Sequence, residues 1–151
     1  MERKLIIRNF GAIASADIAL KDFNIFIGEQ GAGKSTVAKL ITIFENSRDK
    51  VLKVDSDYLM TKFSEYNIIS YFNPDSYISY SSEQGDITYE DGSFNFTFSY
   101  HSTSHNLYIP AERFFISTFS RSIATLVLSK APIPVTLLEF ASFYEKARSE
   151  E

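Results

Sequence analysis

One run of residues constrains this chain more than any other: Gly28-Glu29-Gln30-Gly31-Ala32-Gly33-Lys34-Ser35, with Thr36 directly after it. It satisfies G-x-x-x-x-G-K-[S/T] at every fixed position. Ahead of it, Phe23-Asn24-Ile25-Phe26-Ile27 is β-branched and aromatic and reads as a mostly buried strand. Behind it, Val37, Leu40, Ile41 and Phe44 fall at i, i+3, i+4 and i+7, one face of a helix. A strand, a glycine loop and a helix in that order form the context in which such a run wraps a phosphate. Glycines permit the required φ values and let backbone N–H groups approach anionic oxygens. A helix beginning near Lys34 points its positive end at the same place. Lys34 is expected to reach the β- and γ-phosphates, and the Ser35 hydroxyl to ligate Mg²⁺. Thr36 is expected to add a hydroxyl contact one phosphate inward. The expected ligands are nucleotide phosphates and Mg²⁺, held by Gly28, Gln30, Gly31, Ala32, Gly33, Lys34, Ser35 and Thr36, with Ser35 as the metal ligand.

The rest of the chain reads as one α/β domain spanning 1–151. Residues 3–10 and Ala16–Leu20 are expected strands, joined through a turn at Gly11. Ser56 to Tyr71 reads as a second helix with Leu59, Phe63 and Tyr66 on one side, stopped by Asn73-Pro74-Asp75. Between 77 and 101 the period becomes two. Ile87 and Tyr89, then Phe94, Phe96 and Phe98, flank Asp91-Gly92, a dipeptide suited to a tight hairpin turn. Asn106–Pro110 is expected to form one more short strand. A helix follows from Glu112 to about Ser129, and a last one carries Leu137, Phe140, Ala141 and Tyr144.

Composition narrows the function classes. The 151 residues are 44% hydrophobic and 23% charged, with no Cys. Those proportions are ordinary for globular chains and leave no room for a disulfide framework or a thiolate metal site. They fit a reducing cytoplasm. No apolar run is long enough for a membrane-spanning helix, and the N-terminus turns polar at Arg8, too early for a signal peptide. A net charge of −4 argues against a nucleic-acid clamp built from this chain alone. Lys130, Lys146 and Arg148 are scattered rather than arranged as a DNA stripe. His101 and His105 have no carboxylate near them in sequence and read as loop residues. The Phe94/Phe96/Phe98 ladder reads as the inner face of a sheet rather than a base-stacking platform.

Residues 4–36, from Lys4-Leu5-Ile6-Ile7-Arg8-Asn9-Phe10-Gly11 to Gly33-Lys34-Ser35-Thr36, resemble the opening of ABC-type ATPases of the RecF, SMC and OLD-like kind. These are often grouped as AAA-family ATPases of DNA repair or anti-phage defence. Tyr108-Ile109-Pro110-Ala111-Glu112-Arg113 also resembles a Pro-x-Glu-Arg segment of bacterial members. The resemblance implies a phosphate-loop NTPase fold: an antiparallel β patch, the start of a parallel core, and helices from the C-terminal third. It places Arg8 and Asn9 on the adenine side. It places Glu112 and Arg113 where the family senses the γ-phosphate, although the family's usual Gln is missing there. It further implies a homodimer closing head to tail over two nucleotides, with DNA contacted through other regions.

Family members also need a Ser-Gly-Gly-like signature and an aliphatic strand ending in Asp-Glu for hydrolysis. Neither occurs. The nearest strands, Val51-Leu52-Lys53-Val54-Asp55 and Val135-Thr136-Leu137-Leu138-Glu139, lack the pair. The chain therefore reads as an incomplete N-terminal lobe with no catalytic residue of its own, hydrolysis belonging to a longer protein. Two other functions fit the sequence. Asp55-Ser56-Asp57 is similar to the Asp-x-Asp of small-metabolite kinases, although it is also a good helix cap. A non-hydrolysing, nucleotide-dependent interaction module needs only the loop.

Overall fold

The computed structural model describes residues 3–47, 55–98, 106–110 and 132–149. These fall into two compact units, residues 1–106 and 107–151.

The first unit is organised by a five-stranded antiparallel sheet of order β2-β1-β3-β4-β5. Its strands are β1 (Arg3–Phe10), β2 (Ile13–Leu20), β3 (Tyr77–Ser82), β4 (Gly85–Glu90) and β5 (Ser93–Phe98). β1 and β2 form a hairpin in which Phe10 faces Ile13. Asn9 and Gly11 take positive φ at its turn (49° and 57°). The chain then leaves the sheet for the glycine loop and two helices, and re-enters as β3 on the other edge of β1. β4 and β5 close over Asp91-Gly92, both at positive φ, with Ile87 opposite Phe96 and Tyr89 opposite Phe94. This is the two-residue hairpin that the Asp-Gly pair favours.

Alternation along β1, β3 and β4 turns Leu5, Ile7, Ile78, Tyr80, Ile87 and Tyr89 into the core. Helices α1 (Lys34–Ser47) and α2 (Ser56–Glu65) bury Val37, Leu40, Ile43 and Phe44, and Leu59 and Phe63. Phe44 packs on Tyr80, and Phe63 packs on both Phe10 and Phe94. The expected face of α1 is thus observed, with Ile41 half-buried and Ile43 buried beside it. Lys39 donates to Tyr66 O (2.8 Å) and ties α1 to the end of α2.

Helix α2 ends at Glu65 rather than running to Tyr71. Asn67 enters the left-handed region (φ 55°). The amides of Ile68 and Asn67 fold back onto Phe63 O and Ser64 O. This terminus satisfies the orphan carbonyls and buries Ile68. Ile69–Tyr71 forms a short 3₁₀ turn.

A polar triad, buried except at Arg3, links helix to sheet. Glu45, near the end of α1, accepts a hydrogen bond from the Tyr80 hydroxyl and lies 3.6 Å from Arg3 Nη1. The Glu45 side chain is 7% exposed, so these partners replace hydrogen bonds to water that burial removes. Tyr80→Phe is expected to lower stability by about 1–3 kcal/mol, because it removes a donor from a buried carboxylate. Urea denaturation reads this directly, and an unchanged midpoint would contradict the role.

Two expected strands are not formed. Phe23–Ile27 joins no ladder among the described residues, and Phe23, Ile25 and Ile27 are 81%, 68% and 92% exposed. An apolar run of this kind becomes a buried strand only when neighbours flank both edges and both faces are covered. The described residues supply neither. Asn106–Pro110 is likewise irregular. At its start, the side-chain amide of Asn46 takes the place of a strand partner, accepting from Asn106 N and donating to Asn106 O, both at 2.7 Å.

The second unit contains α3 (Val135–Ser149). Its first turn forms on Pro134 O, which accepts from Leu137 N and Leu138 N. Thr136 and Ala141 are buried, and Phe140 stacks near Tyr144 one turn on. Val135–Glu139 is therefore helical, not a metal-bearing strand. The expected helix 112–129, Glu112, Arg113, His101, His105 and residues 51–54 lie outside the described residues. No helix among the described residues is long and apolar enough to cross a membrane.

Candidate nucleotide-binding site

The glycine loop forms between the Phe23–Ile27 segment and α1. Gly31 and Gly33 both have positive φ (83° and 86°). Two left-handed residues so close together turn the backbone into a concave bend, the geometry that lets successive N–H groups converge on an anion. Ala32 N donates to Glu29 O (3.3 Å), and Val37 N to Gly33 O (3.0 Å). The second bond starts α1, so the helix N-terminus follows directly from the loop. There is no acidic residue in the first turn of α1, which leaves its positive end uncompensated.

Lys34 folds back over the loop. Its Nζ donates to Gly28 O (2.8 Å) and to Glu29 O. Ser35 is exposed on the first turn, while Thr36 is 5% exposed beneath it. Gly28, Gln30, Gly31 and Ala32 are exposed, and Gly33 is buried. The loop residues named from the sequence thus share one bend, with a cation across it and a hydroxyl at its helical end. These groups suit a polyphosphate with a divalent cation: backbone N–H and Lys34 for the oxygens, Ser35 for the metal. Among the described residues, no cluster of three or more His, Cys, Asp or Glu side chains could hold a metal ion.

The glycines differ in what surrounds them. A Cβ on Gly31 would meet nothing within 4 Å, whereas one on Gly33 would lie 2.5 Å from Ile13 Cγ1. Gly31→Ala is expected to cost about 1–2 kcal/mol, the left-handed strain alone. Gly33→Ala adds an overpacking penalty of about 1–3 kcal/mol. Denaturation of both variants checks the order, and equal losses would contradict the close contact.

Arg8 and Asn9, expected on the adenine side, bond locally around the end of β1. Arg8 Nη1 donates to Ile7 O (2.8 Å) and Ala16 O (2.7 Å), stapling the β1–β2 hairpin. Asn9 O accepts from Asn73 Nδ2 (2.6 Å) and Ser76 Oγ (2.5 Å), and Asn9 Nδ2 donates to Asp75 O (3.4 Å). Among the described contacts, neither side chain is brought to the loop. Asp55 is the N-cap of α2, accepting from Tyr58 N (2.9 Å), with Asp57 in the first turn. No described contact joins either to Lys34 or Ser35. The Ile13–Gly33 approach carried no sequence signal, because it pairs residues from separate elements.

A family model described as an AAA ATPase domain matches residues 1–131. No curated protein matches the chain, and neither does any solved structure. AAA ATPases are nucleotide-binding phosphate-loop proteins, and the α/β arrangement with a glycine loop opening a helix is compatible with that fold, although the described sheet is antiparallel throughout. The match covers most of the chain, and on it this protein belongs to the AAA ATPase domain family.

Proposed function

We propose that the chain binds ATP with Mg²⁺ through Gly28, Gln30, Gly31, Ala32, Gly33, Lys34, Ser35 and Thr36, as the N-terminal lobe of an ABC-type ATPase. The observation that carries this reading is the paired positive φ at Gly31 and Gly33 directly before α1, with Lys34 Nζ held across the bend. Mg²⁺, when bound, neutralises charge between the β- and γ-phosphates and polarises the γ-phosphoryl group. Lys34 adds a second cation, Ser35 offers the metal a hydroxyl, and the backbone fixes the oxygens.

The exposed Phe23–Ile27 segment supports an incomplete lobe. It enters the phosphate loop, yet its apolar side chains lie in water. Strands beside it would bury them and bring the carboxylates that hydrolysis needs. A head-to-tail dimer, DNA contact through other regions and a role in DNA repair or phage defence rest on the resemblance of residues 4–36, and a cytoplasmic location rests on the absence of Cys. The same exposed segment favours a second reading, a nucleotide-dependent interaction module. The family match favours an ATPase over the kinase reading, and Asp55 is bonded as a helix cap.

Turnover separates the two surviving readings. ATP hydrolysis is measured for residues 1–151 and for a longer polypeptide that carries an Asp-Glu strand and a signature segment. The lobe reading expects ATP binding by both and hydrolysis only by the longer one. Binding without hydrolysis in both would favour the interaction module.

A further inference from the structure

The loop that would hold phosphate makes few bonds of its own. Residues 28–32 are exposed, and the described ties within the loop are the Ala32–Glu29 hydrogen bond and the two bonds from Lys34. Gly33 is the buried exception, and what buries it is specific. A Cβ placed there would come within 2.5 Å of Ile13 Cγ1 and 3.0 Å of Ile13 Cδ1. The side chain of Ile13 therefore lies directly against the Gly33 backbone. Ile13 itself is 7% exposed.

Ile13 is held firmly from the opposite side. It pairs with Phe10 across the β1–β2 turn, and Phe10 is fully buried against Phe63, Tyr71 and Phe72. Gly11 donates to Tyr71 O (3.1 Å) and lies so close to the Tyr71 ring that a Cβ would be 2.6 Å from Cδ2. Asn9 O is clamped by Asn73 and Ser76. The turn is thus fixed to the segment after α2 on one side and presses a branched, stiff side chain on the loop on the other.

We infer that Ile13 is a positioning residue for phosphate binding: its side chain sets where the Gly33 peptide sits and so aims the loop's N–H groups. The inference rests on the reading of the loop as a phosphate site. Backbone donors recognise an anion only when their peptide planes are held in place, so a small displacement should weaken every contact together. Residues that touch no ligand then matter through the backbone they support.

The test uses the whole chain and two readouts. Ile13→Ala and Ile13→Val are compared with Ile87→Ala and Ile87→Val, since Ile87 is 1% exposed in β4 and has no described contact with the loop. Mg·ATP affinity is measured, together with hydrogen exchange, without nucleotide, of the Ala32 and Val37 amides, which donate to Glu29 O and Gly33 O. Ile13→Ala should weaken affinity about tenfold and speed exchange at those amides by a similar factor, with Ile13→Val shifting both by roughly two- to threefold. The Ile87 variants should lower Tm without moving either readout. Equal shifts for the Ile13 and Ile87 variants, or unchanged exchange in Ile13→Ala, would overturn the inference. If Ile13→Ala does not fold, the two valine variants decide by the same criterion. If the wild-type chain binds no Mg·ATP, the phosphate reading fails and the exchange data alone judge whether Ile13 positions the loop.

Discussion

Lys34→Ala is expected to weaken Mg·ATP binding roughly 100-fold, a loss of about 3 kcal/mol. Lys34 is the loop's own cation, and its Nζ lies across the bend on Gly28 O and Glu29 O. Charge-assisted bonds to phosphate are the strong ones, and the backbone N–H groups of Gly31 to Thr36 cannot replace a full positive charge. The fold should survive, because the substitution removes hydrogen bonds to two exposed loop residues and leaves the core face of α1 intact. Displacement of a fluorescent ATP analogue, with Tm measured alongside, checks both halves. A variant that unfolds, or one that binds within threefold of wild type at about the threefold scatter expected of such effects, would contradict this account of the loop.

Phe63→Ala is expected to cost about 3–5 kcal/mol, the largest stability loss of any single change considered. Phe63 is fully buried. Its ring contacts Phe10 (5.9 Å between centroids), Phe44 (6.1 Å), Phe72 (4.9 Å) and Phe94 (5.8 Å). It therefore joins α1, α2, the β1–β2 turn and β5 in one cluster. Truncation leaves a void bounded by rigid rings that cannot collapse into it. A domain of this size has about 5–15 kcal/mol of stability in total, so the variant should be at the edge of unfolding at physiological temperature. Urea denaturation reads the loss, and a drop below about 1 kcal/mol would show that the aromatic cluster is not the core.

Local patterns with a local cause were legible in the sequence. The helical faces of α1 and α2 follow from residue spacing, and the β4–β5 hairpin follows from Asp91-Gly92. The bend of the glycine loop is legible for the same reason, since its glycines are contiguous with the start of α1. What the sequence hid depends on partners distant along the chain. Phe23–Ile27 has the composition of a buried strand, but composition does not supply neighbours, and the described residues leave it exposed. Helix α2 stops at a left-handed Asn67, a terminus that periodicity alone overran. Asn106 pairs with the side chain of Asn46 instead of with a strand. Arg8 and Asn9 also bond to β1, to β2 and to residues 73–76, ties that residue spacing does not announce. The packing of Ile13 on Gly33 joins two elements that no periodicity connects.

Calorimetric titration of the wild-type chain with Mg·ATP reads nucleotide binding itself. Saturable binding of one nucleotide per chain is expected, lost in Lys34→Ala at the same protein concentration. No saturable heat from the wild type, or matching titration curves for the two proteins, would contradict it.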